Sequence, residues 1–83
     1  MFYAAEGDID RVRDLVNYSG KVNAQDDKGG TALIYASKNG HTEVVKFLLM
    51  SGAKVNLRTK NGLSALDIAK KSEHFEIAGL LAG

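Results

Sequence analysis

His41 and His74 are the two histidines of the chain, and a pair of imidazoles is a common starting point for a metal site or an acid–base centre. They stand 33 residues apart, and there is no cysteine to join them as a ligand. Asp26-Asp27 offers a second chemistry, two adjacent carboxylates for a cation, although Asp is favoured in turns for local reasons. Gly29-Gly30 offers a third, backbone amides bared toward a phosphate. Neither a following Lys-Ser/Thr nor a spaced glycine triplet completes it. No serine sits in a recognisable nucleophile motif, and Ser37 and Ser64 fall at helical positions. The expectation is a chain that is not an enzyme, with no catalytic residue, no metal and no cofactor.

The spacing of the histidines points elsewhere, because it is the period of the whole sequence. Lys21-Val22-Asn23 returns as Lys54-Val55-Asn56, and the same shift of 33 pairs Gly29 with Gly62, Leu33 with Leu66, Ala36 with Ala69, Glu43 with Glu76 and Leu48 with Leu81. Shifted backward, Gly7 meets Gly40, Val12 meets Val45 and Leu15 meets Leu48. Self-similarity at such a period is the signature of a repeat architecture. The chain divides into a partial first unit, residues 1–26, a complete unit, 27–59, and a partial last unit, 60–83, within one domain.

Each unit has the same local grammar. Thr31 precedes the apolar run Ala32-Leu33-Ile34-Tyr35-Ala36, and Asn39-Gly40 follows it; the hydroxyl caps a helix of about two turns and the glycine ends it. A second helix carries Val44, Val45, Phe47, Leu48 and Leu49 near the 3.6-residue period, as Ile9, Val12, Leu15 and Val16 do in the first unit. Ser64 and Asp67 form a capping-box pattern with Asp in place of the usual Glu or Gln. The stretches 21–29 and 54–62 hold Asn, Asp and Gly without helical period and are expected to project as extended loops or β-hairpins. Alanines dominate the first helices and bulky residues the second. Stacked wedges of this shape give an all-α repeat solenoid, curved with the small-residue helices inside. One flaw breaks the register: Ser19-Gly20 returns as Ser51-Gly52 at an offset of 32, so the second helix of the first unit should end in a different turn, one residue further on.

Eighty-three residues make one small domain, which buries only about 60% of its unfolded surface. Without cysteine the core must be apolar packing alone, as suits a reducing, intracellular compartment, cytoplasmic or nuclear. The start lacks a basic and then apolar leader, and no window approaches the roughly 18 apolar residues of a membrane span. A soluble, unprocessed chain is expected. The net charge of +1 is unevenly spread: up to Asp27 three bases face six acids (−3), and from Lys28 eight bases face four acids (+4).

The residues Gly29, Thr31-Ala32-Leu33, Ala36, Asn39-Gly40-His41, Glu43-Val44-Val45, Phe47-Leu48-Leu49, Gly52-Ala53 and Val55-Asn56 resemble the 33-residue pattern of the ankyrin-repeat family, and the likeness extends over essentially the whole chain. It implies helix-turn-helix units joined by hairpin loops, a protein-interaction surface, and a local role for each histidine in bonding loop backbone. It also implies a binding surface at the hairpin tips and inner helix: Gln25, Asp27, Lys28, Gly30, Lys38 and Asn39 in the central unit, and Arg58, Lys60, Asn61, Leu63, Lys71 and Ser72 in the last. None of these is expected to serve the packing of the repeat itself. Leu63 and Tyr35 would give apolar contacts and the lysines with Arg58 a basic rim for an acidic protein partner.

The departures carry expectations too. The family's Thr-Pro-Leu-His stretch is here Thr31-Ala32-Leu33-Ile34 and Ser64-Ala65-Leu66-Asp67, which removes a proline at the first helical position and a threonine–histidine bond and should cost rigidity. Glu73 stands where Gly7 and Gly40 stand, so that turn should be altered or loosened. The apolar last helix, with Phe75, Ile77, Leu80 and Leu81, lacks the polar face of a capping unit, which points to a piece of a longer array, a spacer, or self-association through uncapped ends. Nucleic-acid binding by the basic strip is disfavoured, since no exposed aromatic is interleaved with it and a net charge of +1 releases few counterions.

Overall fold

Among the described residues six short helices form where the 33-residue period places them. The computed structural model describes residues 2–82, with α1 (Phe2–Glu6) and α2 (Ile9–Ser19) in the first unit, α3 (Ala32–Asn39) and α4 (Thr42–Met50) in the second, and α5 (Ala65–Lys71) and α6 (Phe75–Ala82) in the third. Within each unit the two helices pack together; α1, α3 and α5 form an inner row, and α2, α4 and α6 an outer row. The inner helices are in closer mutual contact than the outer ones, because Ala4, Ala36 and Ala69 are fully buried between them and let the backbones approach. The expected all-α repeat solenoid is the observed architecture. Among the described residues no helix is long and apolar enough to cross a membrane.

Three of the helices, α2, α3 and α5, begin on a side chain that the local sequence supplies. Asp8 accepts the Arg11 N–H at 3.2 Å, and Thr31 accepts the Ile34 N–H at 3.2 Å, so Thr31 caps α3 with alanine where the family has proline. The capping box at α5 closes in both directions: Ser64 accepts the Asp67 N–H at 3.2 Å while the Asp67 carboxylate accepts the Ser64 N–H at 3.1 Å. Those bonds from Ser64, aided by nearby Arg58, hold the Asp67 carboxyl below its ordinary range. Ser37, wholly buried, donates to the Leu33 carbonyl at 2.7 Å and so leaves no orphan polar atom in the core.

The turn between paired helices keeps the same closing bond and a left-handed residue in all three units, which corrects one expectation in part. The amides of Asp8, His41 and His74 donate to Tyr3, Ala36 and Ala69 at 2.9, 3.0 and 2.9 Å, and the residue before each has positive φ: Gly7 at 76°, Gly40 at 77°, Glu73 at 61°. Glu73 is therefore held left-handed and its turn is not loosened, although α5 ends at Lys71, one register position earlier than α3 does; the bonds on either side impose the conformation, and the strain stays in the residue. The register flaw has a structural counterpart. α2 runs to Ser19 and is ended by Gly20 at φ 66°, whereas α4 stops at Met50 and Ser51 intervenes before Gly52 at φ 91°. Since Ser19 is equivalent to Gly52, α2 continues two positions further than α4, one more than the slip alone predicts.

The core is centred on the second unit, where Leu33, Ala36, Val44, Val45 and Leu48 are all at most 1% exposed. Two histidines stitch the units together. His41 Nε2 donates to the Ala5 carbonyl at 2.8 Å, and His74 Nε2 donates to the Lys38 carbonyl at 3.2 Å, each reaching the end of the inner helix one unit back. A carbonyl only accepts, so each ring carries its proton on Nε2. The rings lie so close to the preceding turns that a Cβ on Gly7 would stand 2.5 Å from His41 Nδ1, and one on Gly40 2.8 Å from His74 Cε1.

Opposite effects are expected at equivalent turns. Gly40→Ala adds left-handed strain and a clash with the His74 ring, and should destabilise by about 2 kcal/mol or more. Glu73→Gly relieves strain at the cost of unfolded-state entropy, and should be neutral to stabilising by about 1 kcal/mol. Urea unfolding of both variants measures this; a tolerated Gly40→Ala would contradict the stitching role given to His74.

Candidate functional site

The loops between units close on themselves before they meet each other. In the first, the Asp26 N–H donates to Gly30 and the Gly29 N–H donates back to Asp26, both at 2.9 Å; in the second, Thr59, Leu63 and Gly62 repeat the pattern at the same 2.9 Å distances. An isolated antiparallel bridge, Arg58 with Ser64, extends the second loop, and among the described residues no longer strand forms. Two contacts join neighbouring hairpins. The Lys60 N–H donates to the Lys28 carbonyl at 3.0 Å, and the Gln25 amide donates to Gly29 at 3.0 Å and across to Arg58 at 3.2 Å.

Asp26 organises the first hairpin. One carboxylate oxygen accepts the N–H groups of Lys28 (3.0 Å) and Gly30 (2.8 Å), and the other accepts the Tyr35 hydroxyl from α3. The Tyr35 bond above all, then the Gly30 amide, pulls the Asp26 carboxyl below its ordinary range; the same bond, with some desolvation, pushes the Tyr35 phenol up. Both Asp26 oxygens are thus engaged within the fold, so the Asp26-Asp27 pair is a turn device in this arrangement. Among the described residues no group of three or more His, Asp or Glu is placed to hold a metal. The Tyr35 ring lies against Gly30, where a Cβ would stand 2.6 Å from its Cε2. At the equivalent place in the next unit Thr59 replaces Asp26 and accepts only the Leu63 N–H, at 3.3 Å, while Ile68 replaces Tyr35.

Between the hairpins and the inner helices α3 and α5 lies an open groove of about 730 Å³. It is lined by Lys28, Gly30, Lys38, Lys60, Asn61, Leu63, Lys71 and Ser72 among the residues expected to face a partner. Tyr35, expected as an apolar contact, forms part of its wall. Ile34, Thr59 and Ile68 also line it and were not anticipated as site residues. Helical spacing was the signal that could have found two of them, since Ile34 lies four residues before Lys38 and Ile68 lies three and four before Lys71 and Ser72.

Gln25, Asp27, Asn39 and Arg58 lie outside the groove lining. For three of them the expectation that repeat packing does not need them is wrong. Gln25 ties two hairpins, and Asn39 donates to the Ala5 carbonyl at 3.0 Å beside the His41 bond. Arg58 donates to the Gly62 carbonyl at 2.8 Å and pairs with Asp67 at 3.4 Å. Their polar atoms satisfy backbone groups that the loops leave unpaired. Asp27 is exposed at the hairpin turn.

The linked Asp26 and Tyr35 groups give this wall a pH window. A carboxyl whose folded value is lowered stabilises the fold above about pH 4 and loses that effect as pH falls through the folded value. A phenol whose folded value is raised stabilises it below about pH 10 and loses that effect as pH rises through the folded value. Asp26→Asn and Tyr35→Phe should each lower the Tm at pH 7. The Asp26→Asn deficit should shrink below pH 4 and the Tyr35→Phe deficit above pH 10, whereas deficits independent of pH in thermal melts would show that the bond is not what stabilises.

The comparison with known proteins agrees with the geometry. A family model of ankyrin repeats, in three copies, matches residues 1–83. The NAD-capped RNA hydrolases NUDT12 of Homo sapiens and Macaca fascicularis are each 47% identical to this chain over 47 residues, 55% of this chain and 10% of theirs. The human ankyrin repeat domain-containing protein 39 is 46% identical over 46 residues, 55% of this chain and 25% of its own length. The matches thus cover a tenth to a quarter of the length of those relatives. Ankyrin repeats are in general protein–protein interaction modules. With its whole length matched and its three helix pairs stacked at the 33-residue period, the chain belongs to the ankyrin-repeat family.

Proposed function

We propose that this chain is a non-enzymatic, intracellular interaction module that binds a protein partner across the groove formed by its hairpin tips and inner helices. The observation that carries this reading is the composition of the groove. Four exposed lysines, Lys28, Lys38, Lys60 and Lys71, stand around a floor and wall of Ile34, Tyr35, Leu63 and Ile68, and no acidic residue is among its lining. Among the described residues none of those lysines is in an ion pair. Apolar surface ringed by unpaired charge is what a protein interface requires, an anchor that excludes water and a rim that sets orientation.

Gln25, Asn39 and Arg58 then act by holding the hairpins and inner helices in place, while Lys28, Lys38, Lys60, Asn61, Leu63, Lys71 and Ser72 face the partner, Gly30 lies buried against the Tyr35 ring and Asp27 lies at the edge.

Position-specific photo-crosslinking tests the assignment. A crosslinking side chain placed at Leu63 or Lys60 should form protein adducts in cell extract, identified by mass spectrometry, and one at the exposed Met50 on the outer row should not. Adducts that form at Met50 and not at Leu63 would move the interface to the opposite face. Adducts with nucleic acid at Lys60, lost steeply as salt is raised, would replace the protein reading with a polyanion one.

A further inference from the structure

The groove is not uniformly basic, and the arrangement of its lysines limits what fits. Lys28 and Lys60 belong to the two hairpins, whose backbones are joined by the Lys60 N–H to Lys28 carbonyl bond of 3.0 Å. They form one cationic edge. Lys38 and Lys71 are equivalent residues in the last turns of α3 and α5, inner helices that pack directly on each other, and they form the other edge. Between the edges lie the Tyr35 ring, held by Asp26, and the side chains of Leu63 and Ile68.

The distance between the edges follows from where the lysines stand relative to α3. Lys38 is the seventh residue of that helix, about 9 Å along it from Ala32 at about 1.5 Å per residue, and the hairpin with Lys28 lies before Ala32, so the edges are on the order of 12 Å apart. An extended peptide rises about 3.3 Å per residue, so four steps cover that distance, and residues two apart project on the same side. We infer that the groove binds an extended acidic segment of a partner protein in the pattern acid–x–apolar–x–acid, with the two carboxylates on the opposite lysine edges and the apolar side chain between Tyr35 and Leu63. This rests on the protein-binding reading of the groove and specifies its ligand. The three groove-facing side chains alternate with two that face solvent, so the x positions are left free. A helical segment would carry the same three side chains on different faces, since residues two apart on a helix lie about 200° apart around its axis.

Charge complementarity decides the sign of the ligand. The four ammonium groups are exposed, and the Asp26 carboxylate behind Tyr35 is taken up by the Tyr35 hydroxyl and the Lys28 and Gly30 amides. A ligand with carboxylates at only one end would leave the other pair of lysines facing unneutralised. One without the apolar side chain would leave the Tyr35–Leu63 surface wet.

Fluorescence anisotropy with a labelled eleven-residue peptide tests this. The peptide carries glutamate, phenylalanine and glutamate at alternate central positions, with small neutral residues elsewhere. It should bind at least tenfold more tightly than a scrambled peptide with adjacent glutamates, and than the same peptide with glutamine for glutamate. The double variants Lys28→Gln with Lys60→Gln, and Lys38→Gln with Lys71→Gln, should each weaken binding about fivefold or more. Leu63→Ala should weaken it about tenfold, with circular dichroism confirming that each variant is folded. Equal binding of the scrambled or glutamine peptide overturns the inference, as does equal competition by single-stranded DNA of the same charge. If Leu63 crosslinks a partner protein while these peptides fail, the spacing pattern is wrong and the protein-binding function stands; if neither occurs, both fall.

Discussion

No unit of this chain can bury its own apolar face, and everything else in the structure depends on that. Helices of five to eleven residues are marginal in water, because a nucleated turn fixes several dihedrals before hydrogen bonds accumulate. They persist here because each pair is covered by its neighbour, with alanines setting how near the inner helices come. Leu15, Leu48 and Leu81 occupy one repeat position yet are 47%, 0% and 8% exposed. The leucine with units stacked on both sides is sealed completely, Leu81 is buried within the last helix pair, and Leu15 is left half exposed.

Stacking also decides what the polar residues do. The backbone at the ends of α1 and α3 has carbonyls without partners inside the helix, and the next unit answers them through His41, Asn39 and His74. Asn23 does the same for the outer loops, accepting the Lys54 N–H at 2.7 Å and donating to Gly52 at 3.3 Å. Such bonds fix the offset between units more sharply than apolar contact does, because they require particular directions as well as proximity. The groove inherits its shape from that offset: one hairpin rests on the next, and Tyr35 is pinned upright against Gly30 by Asp26.

Much of this was legible in the residues. Thr31 and Ser64 cap the helices they precede, and the Asp67 capping box closes despite its shorter acid. The slipped Ser19-Gly20 marks a longer α2. Two readings failed for the same reason. Glu73 was expected to loosen its turn, and Gln25, Asn39 and Arg58 were expected to face a partner and be spared by the repeat's own packing, because local sequence describes a residue's preference and not the bonds that a neighbouring unit imposes or requires. Eight of the twelve residues expected to face a partner do line the groove, whereas Ile34 and Ile68 escaped notice because they are buried core residues that reach the groove only at an edge.

The sequence by itself determined the period, the place of each helix and loop, and the inventory of lysines and apolar residues on the inner side. These follow from interactions spanning one to four residues: caps, left-handed turns and the helical repeat of side-chain directions. Tertiary structure alone decided which copy of a repeated residue is buried, which polar side chains are consumed in holding units together, and that four lysines from two units frame one groove. Those outcomes come from contacts between residues about 33 positions apart, and such contacts are set by the distance and rotation from one unit to the next, which no single unit encodes.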